Sequence, residues 1–318
     1  IDADFMSRSN YRRLISINDF KSYVRGFSLG QKDGKQIFDN YLDNYKVGFR
    51  NMMSQSGERT LICAVLPRKT AHIHGVRSIS FLNRTYTVDI AALCASIVMD
   101  FYMKTIGSDN LMASFPLGVA EKYQSAMYSR TLLLNCLTVH YADLWQSCWR
   151  PEYAQEKWSL SDPRLKPFTG LTEDWTWDTP LRNYFERRQA LVEIDVLAAM
   201  ALGLSLKDLE LIYTIQFPVL QQNENDTWYD AKGNIVFTCS KGLNGVGCER
   251  KEWEAIRGSL SEDGMTYEGT APTYVHTIDP KKSEMYGGEE VTYYAPYNKC
   301  DRIADYRRAW AFFERKLK

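Results

Sequence analysis

The sequence lacks three features that would each assign it to a broad class. It has no apolar run near the roughly 20 residues that a transmembrane helix needs and no secretory leader, so we expect a cytoplasmic protein without membrane contact. No Cys-x-x-Cys pair occurs among its 7 cysteines, so we expect free thiols, with Cys94 and Cys136 in the core. No net charge remains from 39 basic and 39 acidic residues, so nucleic-acid binding would need a local basic patch.

Motifs that would support catalysis are also scarce. No Pro-Pro pair occurs anywhere in the chain. His72 and His74 would share one face of an extended segment, but no further zinc ligands are placed by the sequence. Residues 162–166 (DPRLK) have only a superficial likeness to a nuclease motif and lie in a proline-bounded loop. We therefore assign no catalytic residue and no cofactor to this chain.

The longest periodic stretch runs from residue 181 to 238 and predicts two helices and a hairpin. Apolar residues recur at helical spacing between residues 184 and 202, with Pro180 predicted at the first helical position. Asp195 lies beside the apolar stripe, so we expect a nearby arginine to neutralise it in a structural ion pair. Ser205 is predicted to cap a second helix that Pro218 ends, and the hairpin near residues 228–238 turns at Gly233.

The remaining elements predict an α+β fold in two domains. Residues 59–66 and 78–82 are typical of strands, and residues 89–106, 123–149 and 305–317 are typical of helices. We place a small mixed α/β domain with short strands at residues 1–117. A mainly helical domain with the hairpin follows at residues 118–318, and the division falls in a loop.

A basic segment is the best functional lead that the residues give. Between residues 58 and 84 the chain has five arginines or lysines and one acid, and two of its four histidines. Such a loop between strands can present its side chains to phosphates or base edges, although charged runs more often face water. The last helix is ambiguous in the same way, because its basic side chains either contact DNA or pair with nearby acids. The candidate DNA-binding residues are Arg68, Lys69, His72, His74, Arg77 and Arg84; those of the last helix are Arg302, Arg307, Arg308, Arg315 and Lys316.

Six segments together resemble a known family, in order over nearly the whole chain. They are residues 58–67 (ERTLICAVLP), 100–105 (DFYMKT), 134–145 (LNCLTVHYADLW), 181–220 (LRNYFERRQALVEIDVLAAMALGLSLKDLELIYTIQFPVL), 227–238 (TWYDAKGNIVFT) and 301–310 (DRIADYRRAW). This order resembles the C-terminal target-recognition region of large single-chain adenine-specific DNA methyltransferases. Those enzymes serve bacterial restriction-modification and phage-defence systems of the DISARM or BREX kind.

The resemblance implies a recognition portion without its catalytic half. In the family, an Asn/Asp-Pro-Pro-aromatic tetrapeptide holds the flipped adenine and a Gly-rich loop binds S-adenosylmethionine; the tetrapeptide has no counterpart here. The resemblance therefore implies that S-adenosylmethionine binds in an N-terminal methyltransferase domain of a longer parent. The implied partners are double-stranded DNA, that domain and other defence-system subunits, with Arg68 or Arg77 reading guanine and Lys69 contacting phosphate.

Two alternatives stay open at this point. The first is a protein-interaction module, because 13% of the residues are aromatic and Trp175 and Trp177 are candidates for exposed docking residues. The second is a stand-alone nuclease, which only the likeness of residues 162–166 to a nuclease motif supports.

Overall fold

A computed structural model of the chain describes residues 2–6, 15–16, 18–20, 25–32, 35–106, 118–243, 245–281 and 286–318, with residues 25–32 and 35–39 described by their backbone alone. The contacts divide the chain into two compact units. The first comprises Ile1–Gln55, Arg59–Glu156 and Phe168–Pro180, and the second comprises Ser56–Glu58, Lys157–Pro167 and Leu181–Lys318. Helices and small antiparallel sheets occur in both units, which confirms the predicted α+β class.

The first unit combines two small sheets with four α-helices and a helical stretch at residues 18–20, among its described residues. Its strands are β1 (Arg25–Lys32), β2 (Lys35–Asn40), β3 (Lys46–Arg50), β4 (Cys63–Leu66) and β5 (Val76–Ser80). Its α-helices are α1 (Arg84–Ala95), α2 (Ile97–Ile106), α3 (Glu121–Asn135) and α4 (Ala142–Cys148). Short 3-10 turns lie at Tyr41–Asp43, Val139–Tyr141, Pro151–Gln155 and Phe168–Gly170.

The second unit holds the longest helix and most of the short strands. Its α-helices are α5 (Tyr184–Ala201), α6 (Leu206–Gln216), α7 (Pro218–Asn225), α8 (Arg250–Ile256) and α9 (Arg302–Lys316). Its strands are β6 (Trp228–Tyr229), β7 (Ile235–Phe237), β8 (Thr266–Tyr267), β9 (Thr273–Thr277), β10 (Glu290–Tyr294) and β11 (Tyr297–Asn298), and a 3-10 turn lies at Lys241–Leu243. The sheet order is β7-β6-β11-β8, and β9 pairs with β10 in a separate hairpin.

Strand β3 is the central strand of a three-stranded sheet in the first unit, with the order β4-β3-β5. Both neighbours are antiparallel to it, and its first four residues are buried. The strand predicted at residues 59–66 is shorter than expected. The backbone N–H groups of Thr60 and Leu61 donate to the buried carboxylate of Asp100 at 3.0 and 3.1 Å, so they do not join a strand ladder.

The two long helices predicted in the first unit are both interrupted, so those predictions were wrong. Residues 89–106 break at Ser96, whose hydroxyl donates to Leu93 O at 2.6 Å and accepts from Met99 N at 3.3 Å. A serine side chain that bonds the backbone in this way competes with helical hydrogen bonds. Residues 123–149 break after Asn135, whose side-chain oxygen accepts the N–H of Val65 in β4 at 3.0 Å.

The predicted helix pair of the second unit is present, with shifted ends. The first helix begins at Tyr184, not near Pro180, because Asn183 and Glu186 form a reciprocal capping box. The predicted cap at Ser205 is confirmed. Pro218 does not only end a helix, since it is also the first residue of α7.

The hairpin of the second unit is also confirmed. Strands β6 and β7 pair antiparallel, and Gly233 between them has φ 87°. Asp195 forms the expected ion pair, but with a distant partner: its carboxylate accepts a hydrogen bond at 2.7 Å from Arg302 Nη1 of α9, which lies 107 residues along the chain. The hairpin also contributes to a hydrophobic cluster whose aromatic members include Trp228, Phe237, Trp253 and Tyr297.

The two compact units differ in extent from the predicted domains. Residues 118–156 belong to the first unit, whereas the sequence assigned them to a second domain at 118–318. Compact units are defined by contacts, so a division into independently folding domains at residue 117 stays a prediction. Residues 107–117 beside that boundary lie outside the described residues.

Among the described residues, no single helix is both long and apolar enough to cross a membrane. Helices α1 and α2 pass that test only as a pair, by length and composition, and they are bent by 75° at Ser96. All 7 cysteines are free, and Cys94 and Cys136 are fully buried, as predicted.

Candidate nucleic-acid interface

Five of the six predicted DNA-binding residues lie between strands β4 and β5 or on β5, and the sixth begins α1. The connection between the strands covers residues 67–75, and we call it the basic loop. Arg68, Lys69, His72 and His74 belong to the basic loop, Arg77 belongs to β5, and Arg84 is the first residue of α1. The fold therefore keeps the predicted residues in one region of the first unit.

Backbone hydrogen bonds fix the basic loop at both ends. Lys69 has φ 63°, a left-handed conformation that is uncommon for residues other than glycine. Its N–H donates to Leu42 O at 2.5 Å, and at the far end Asn51 N donates to Gly75 O at 3.0 Å. Thr70 adds a bond from its hydroxyl to Pro67 O at 2.6 Å. These bonds hold the loop in one conformation before any ligand binds.

His72 is directed toward the sheet and positions the middle of the basic loop. Its Nε2 lies 3.0 Å from Tyr41 Oη and 2.8 Å from Ser78 Oγ, and the two hydroxyls are also hydrogen-bonded to each other. Buried Lys46 places its ammonium 4.6 Å from the centre of the Tyr41 ring. Burial lowers the pKa of Lys46 to about 8, against a smaller opposing effect of Asp43. His72 is thus half-buried and held by neighbours.

Arg68 and Arg84 both engage Asp143 of α4. Arg68 Nη1 forms an ion pair with the Asp143 carboxylate, and Arg84 Nη2 lies 3.6 Å from the same group. Arg84 Nη1 also donates to Asp143 O at 2.8 Å and to Ser147 Oγ at 2.9 Å. Each arginine is partly exposed, at 37% and 36% of its side chain. They tie the loop and the start of α1 to α4.

The electrostatics around Asp143 favour its charged form. Burial acts to raise the pKa of this carboxyl, but hydrogen bonds from Tyr45 and Arg68 and the charges of Arg84 and Arg68 outweigh burial and lower it. Burial and the hydrogen bond to Asp143 raise the pKa of Tyr45 well above its ordinary value. The Asp143 carboxyl therefore stays ionised at neutral pH.

Lys69, His74 and Arg77 are the three predicted residues that are exposed. Arg77 lies opposite Phe49 in the register of β3 and β5, and β5 is an outer strand of its sheet. His74 has its Nδ1 3.5 Å from Asn51 Nδ2. No acidic residue occurs in the chain between Glu58 and Asp89, so this stretch supplies only positive charge of its own.

Other residues singled out in the sequence prove to be paired. Arg164 binds Asp162 through two hydrogen bonds, from Nε at 2.9 Å and from Nη2 at 2.7 Å, which makes residues 162–166 a closed turn. In α9, three arginines are paired with acids from α5, α6, α7 or α9 itself. For these three, the structure supports pairing with nearby acids, which was the alternative to DNA contact. These three are Arg302, Arg307 and Arg308.

Sequence reasoning missed the residues that anchor this site. Asp143 and Tyr45 hold Arg68 and Arg84 in place, but no local pattern links α4 with residues 68 and 84 in the sequence.

Gly26-Phe27-Ser28-Leu29-Gly30, outside this site, has the spacing of a nucleophile elbow. It lies inside β1 and not at a strand-to-helix turn, which is the context that such a nucleophile requires.

Comparisons of the whole chain with protein-family models, curated proteins and solved structures find no match. The site itself therefore carries the functional interpretation.

Proposed function

We propose that this chain binds double-stranded DNA through the basic loop and β5. In this proposal it is the target-recognition portion of a site-specific adenine-N6 DNA methyltransferase of a restriction-modification or phage-defence system. The observation that carries the DNA-binding part is a fixed basic loop with exposed Lys69, His74 and Arg77 in a chain of zero net charge. The methyltransferase part depends on the resemblance of the six segments.

The fixed loop suits recognition because it removes an ordering cost. A mobile loop loses conformational freedom on binding, whereas this loop is held by the N–H groups of Lys69 and Asn51 and by the His72 ring. Lys69, as a compact cation on a flexible stem, suits a phosphate. Arg77, with a planar donor fork on an outer strand, suits the O6 and N7 edge of guanine.

The six predicted residues divide into two roles under this proposal. Lys69, His74 and Arg77 contact DNA, while His72, Arg68 and Arg84 hold the loop in place through Tyr41, Ser78 and Asp143. Arg68 keeps 37% of its side chain exposed, so it can join a phosphate contact at the edge of the interface.

The remaining partners follow from the resemblance. S-adenosylmethionine would bind in the N-terminal methyltransferase domain of the parent protein, which would flip the adenine and transfer the methyl group. The present chain would hold the duplex and read sequence, in the cytoplasm, with other defence-system subunits as further partners.

Equilibrium binding to duplex DNA tests the proposal. We expect Arg77→Glu to weaken binding at least tenfold, because it removes a cation and adds repulsion at the interface. The control is Lys207→Glu, which makes the same charge change at an exposed residue of α6 and should leave the affinity within about twofold. Equal affinity of the two variants, or no binding by the native chain at low salt, would reject the proposal.

A second function, docking of a defence-system protein, is favoured by Trp177, whose side chain is exposed to 40%. Trp175 is not an equivalent candidate, because it is half-buried and its Nε1 donates to Cys136 O at 2.8 Å. Trp177→Ala should abolish co-purification with such a partner and leave DNA binding unchanged. Retained co-purification would reject docking through Trp177.

A further inference from the structure

Three side chains with metal-binding atoms meet in the second unit. They are Cys248, Glu252 and His276, and one ligand atom of each lies within 4.8 Å of those of the other two. Glu252 Oε1 lies 2.8 Å from His276 Nδ1. Cys248 is buried, whereas Glu252 and His276 are partly accessible, with 24% and 13% of their side chains exposed.

The local fold brings these residues together from separate elements. Cys248 lies two residues before the start of α8, and Glu252 lies in the first turn of that helix. The N–H of Cys248 donates to Val236 O of β7 at 2.6 Å and fixes the cysteine. His276 comes from β9, where it is paired with Val291 of β10.

We propose that Cys248, Glu252 and His276 form a site for one zinc ion. Thiolate, imidazole and carboxylate are the donors that zinc takes in proteins, and this set excludes the all-oxygen environment that magnesium and calcium prefer. Ligands at about 2.0–2.3 Å from zinc in tetrahedral geometry are roughly 3.3–3.8 Å apart. The observed upper separation of 4.8 Å therefore requires only small side-chain movements. Water fills the fourth position.

Tyrosines around the cluster give it an outer layer of hydroxyl groups. Tyr274 lies two residues before His276 and donates its hydroxyl to Glu252 Oε1 at 2.7 Å, which orients the carboxylate. Tyr297 belongs to the same hydrophobic cluster as Cys248, and its buried hydroxyl has no hydrogen-bond partner within the described residues. A buried hydroxyl without a hydrogen-bond partner lowers the stability of the fold. A polar ligand or an ordered water beside Cys248 would supply that partner.

A nucleophilic role for Cys248 fits the surroundings less well. Reactive cysteines are accessible and lie near positive charge, which stabilises the thiolate. Cys248 is exposed to only 5%, and the carboxylate of Glu252 lies within 4.8 Å of its sulfur. A buried thiol beside a carboxylate suits a metal ligand better than a nucleophile.

Zinc and cobalt titrations of the full chain test the site, independently of DNA binding. After removal of metal, we expect one zinc ion per chain, and with Co²⁺ a thiolate-to-cobalt charge-transfer absorption. Cys248→Ser should abolish that absorption, whereas Cys300→Ser, a control in the same unit, should retain it. No zinc binding, or an unchanged absorption in Cys248→Ser, would overturn the proposal.

A second variant tests the site in case Cys248→Ser does not fold. His276→Asn keeps the size and polarity of the side chain and should weaken zinc binding at least about tenfold, by analogy with the loss seen for outer-layer partners. Zinc should raise the melting temperature of the native chain but not that of His276→Asn, because only the folded native site binds it. Equal zinc affinity in a folded His276→Asn variant would contradict the assignment.

Discussion

Neutralising Glu224 of α7 is expected to destabilise the second unit strongly. Arg302 donates to its carboxylate from Nε at 2.7 Å and from Nη2 at 2.9 Å, and Arg188 donates from Nε at 2.9 Å. Tyr213 Oη adds a fourth hydrogen bond at 3.0 Å. Both arginines are almost fully buried, so Glu224→Gln would leave their charges with only Asp195 and Asp305 as partners.

The pKa of Glu224 sets the size of the effect. Burial acts to raise this pKa, but the charges of Arg302 and Arg188 outweigh burial and lower it from 4.5 to about 2. Because one pKa unit corresponds to about 1.4 kcal/mol, the ionised carboxylate contributes about 3 kcal/mol at neutral pH. Since the folded pKa is the lower one, this contribution is complete above the unfolded value and is lost as the pH falls toward 2.

Hydrogen exchange followed by mass spectrometry on peptides of α5 and α9 measures the opening of this unit. Glu224→Gln should lower the opening free energy by about 3–5 kcal/mol at pH 7, as for other broken buried ion pairs. The difference from the native chain should shrink by roughly 2 kcal/mol near pH 3. The control, Glu210→Gln, breaks an ion pair with Arg307, whose side chain is 64% exposed, and should cost below about 1 kcal/mol. Equal effects of the two variants would refute the reasoning.

Three further substitutions test packing, turn geometry and the arginine cluster, with chemical denaturation as the measurement. Gly233→Ala should cost about 2–3 kcal/mol, because φ is 87° and the new Cβ would lie 2.6 Å from the capping side-chain oxygen of Asn183. Gly288→Ala has φ 86° but nothing within 4 Å, so it should cost only about 1–2 kcal/mol; equal costs would contradict the steric explanation. Trp253→Ala should cost about 3–5 kcal/mol, since the ring is 1% exposed and stacks on the Phe237 ring at 5.8 Å; a loss below 1 kcal/mol would contradict the packing account. Asp143→Asn should lower the free energy of unfolding by about 1–2 kcal/mol, because it weakens the pairing with Arg68 and Arg84. An unchanged free energy of unfolding would contradict the structural role of the carboxylate.

Patterns within one element were predictable from the sequence. The apolar period of α5, the cap at Ser205 and the turn at Gly233 depend on neighbouring residues only, and the structure contains all three. The break at Asn135 was not predictable in that way, because its side chain bonds Val65 of β4, 70 residues away. The break at Ser96 is local, since its hydroxyl bonds Leu93 and Met99, but the apolar period continues across it and does not reveal it.

The candidate sites divide along the same line. The basic loop was visible because its cations are adjacent in the sequence, and its exposed members could be proposed directly. Its supports could not, since Asp143 lies 75 residues from Arg68. The proposed zinc site was missed for the same reason. Cys248 lies just before α8 and Glu252 lies within it, but His276 comes from strand β9, 24 residues after Glu252.

The salt dependence of DNA binding tests the central proposal most directly. A fluorescence-anisotropy series of the full chain on duplex DNA would compare the native protein with Lys69→Gln and with Lys122→Gln, an exposed lysine at the start of α3. If Lys69 neutralises one phosphate, Lys69→Gln lowers the slope of log affinity against log salt by about one, on all sequences, and Lys122→Gln leaves it unchanged. Identical slopes for the native chain and Lys69→Gln would contradict the assignment of the basic loop to DNA.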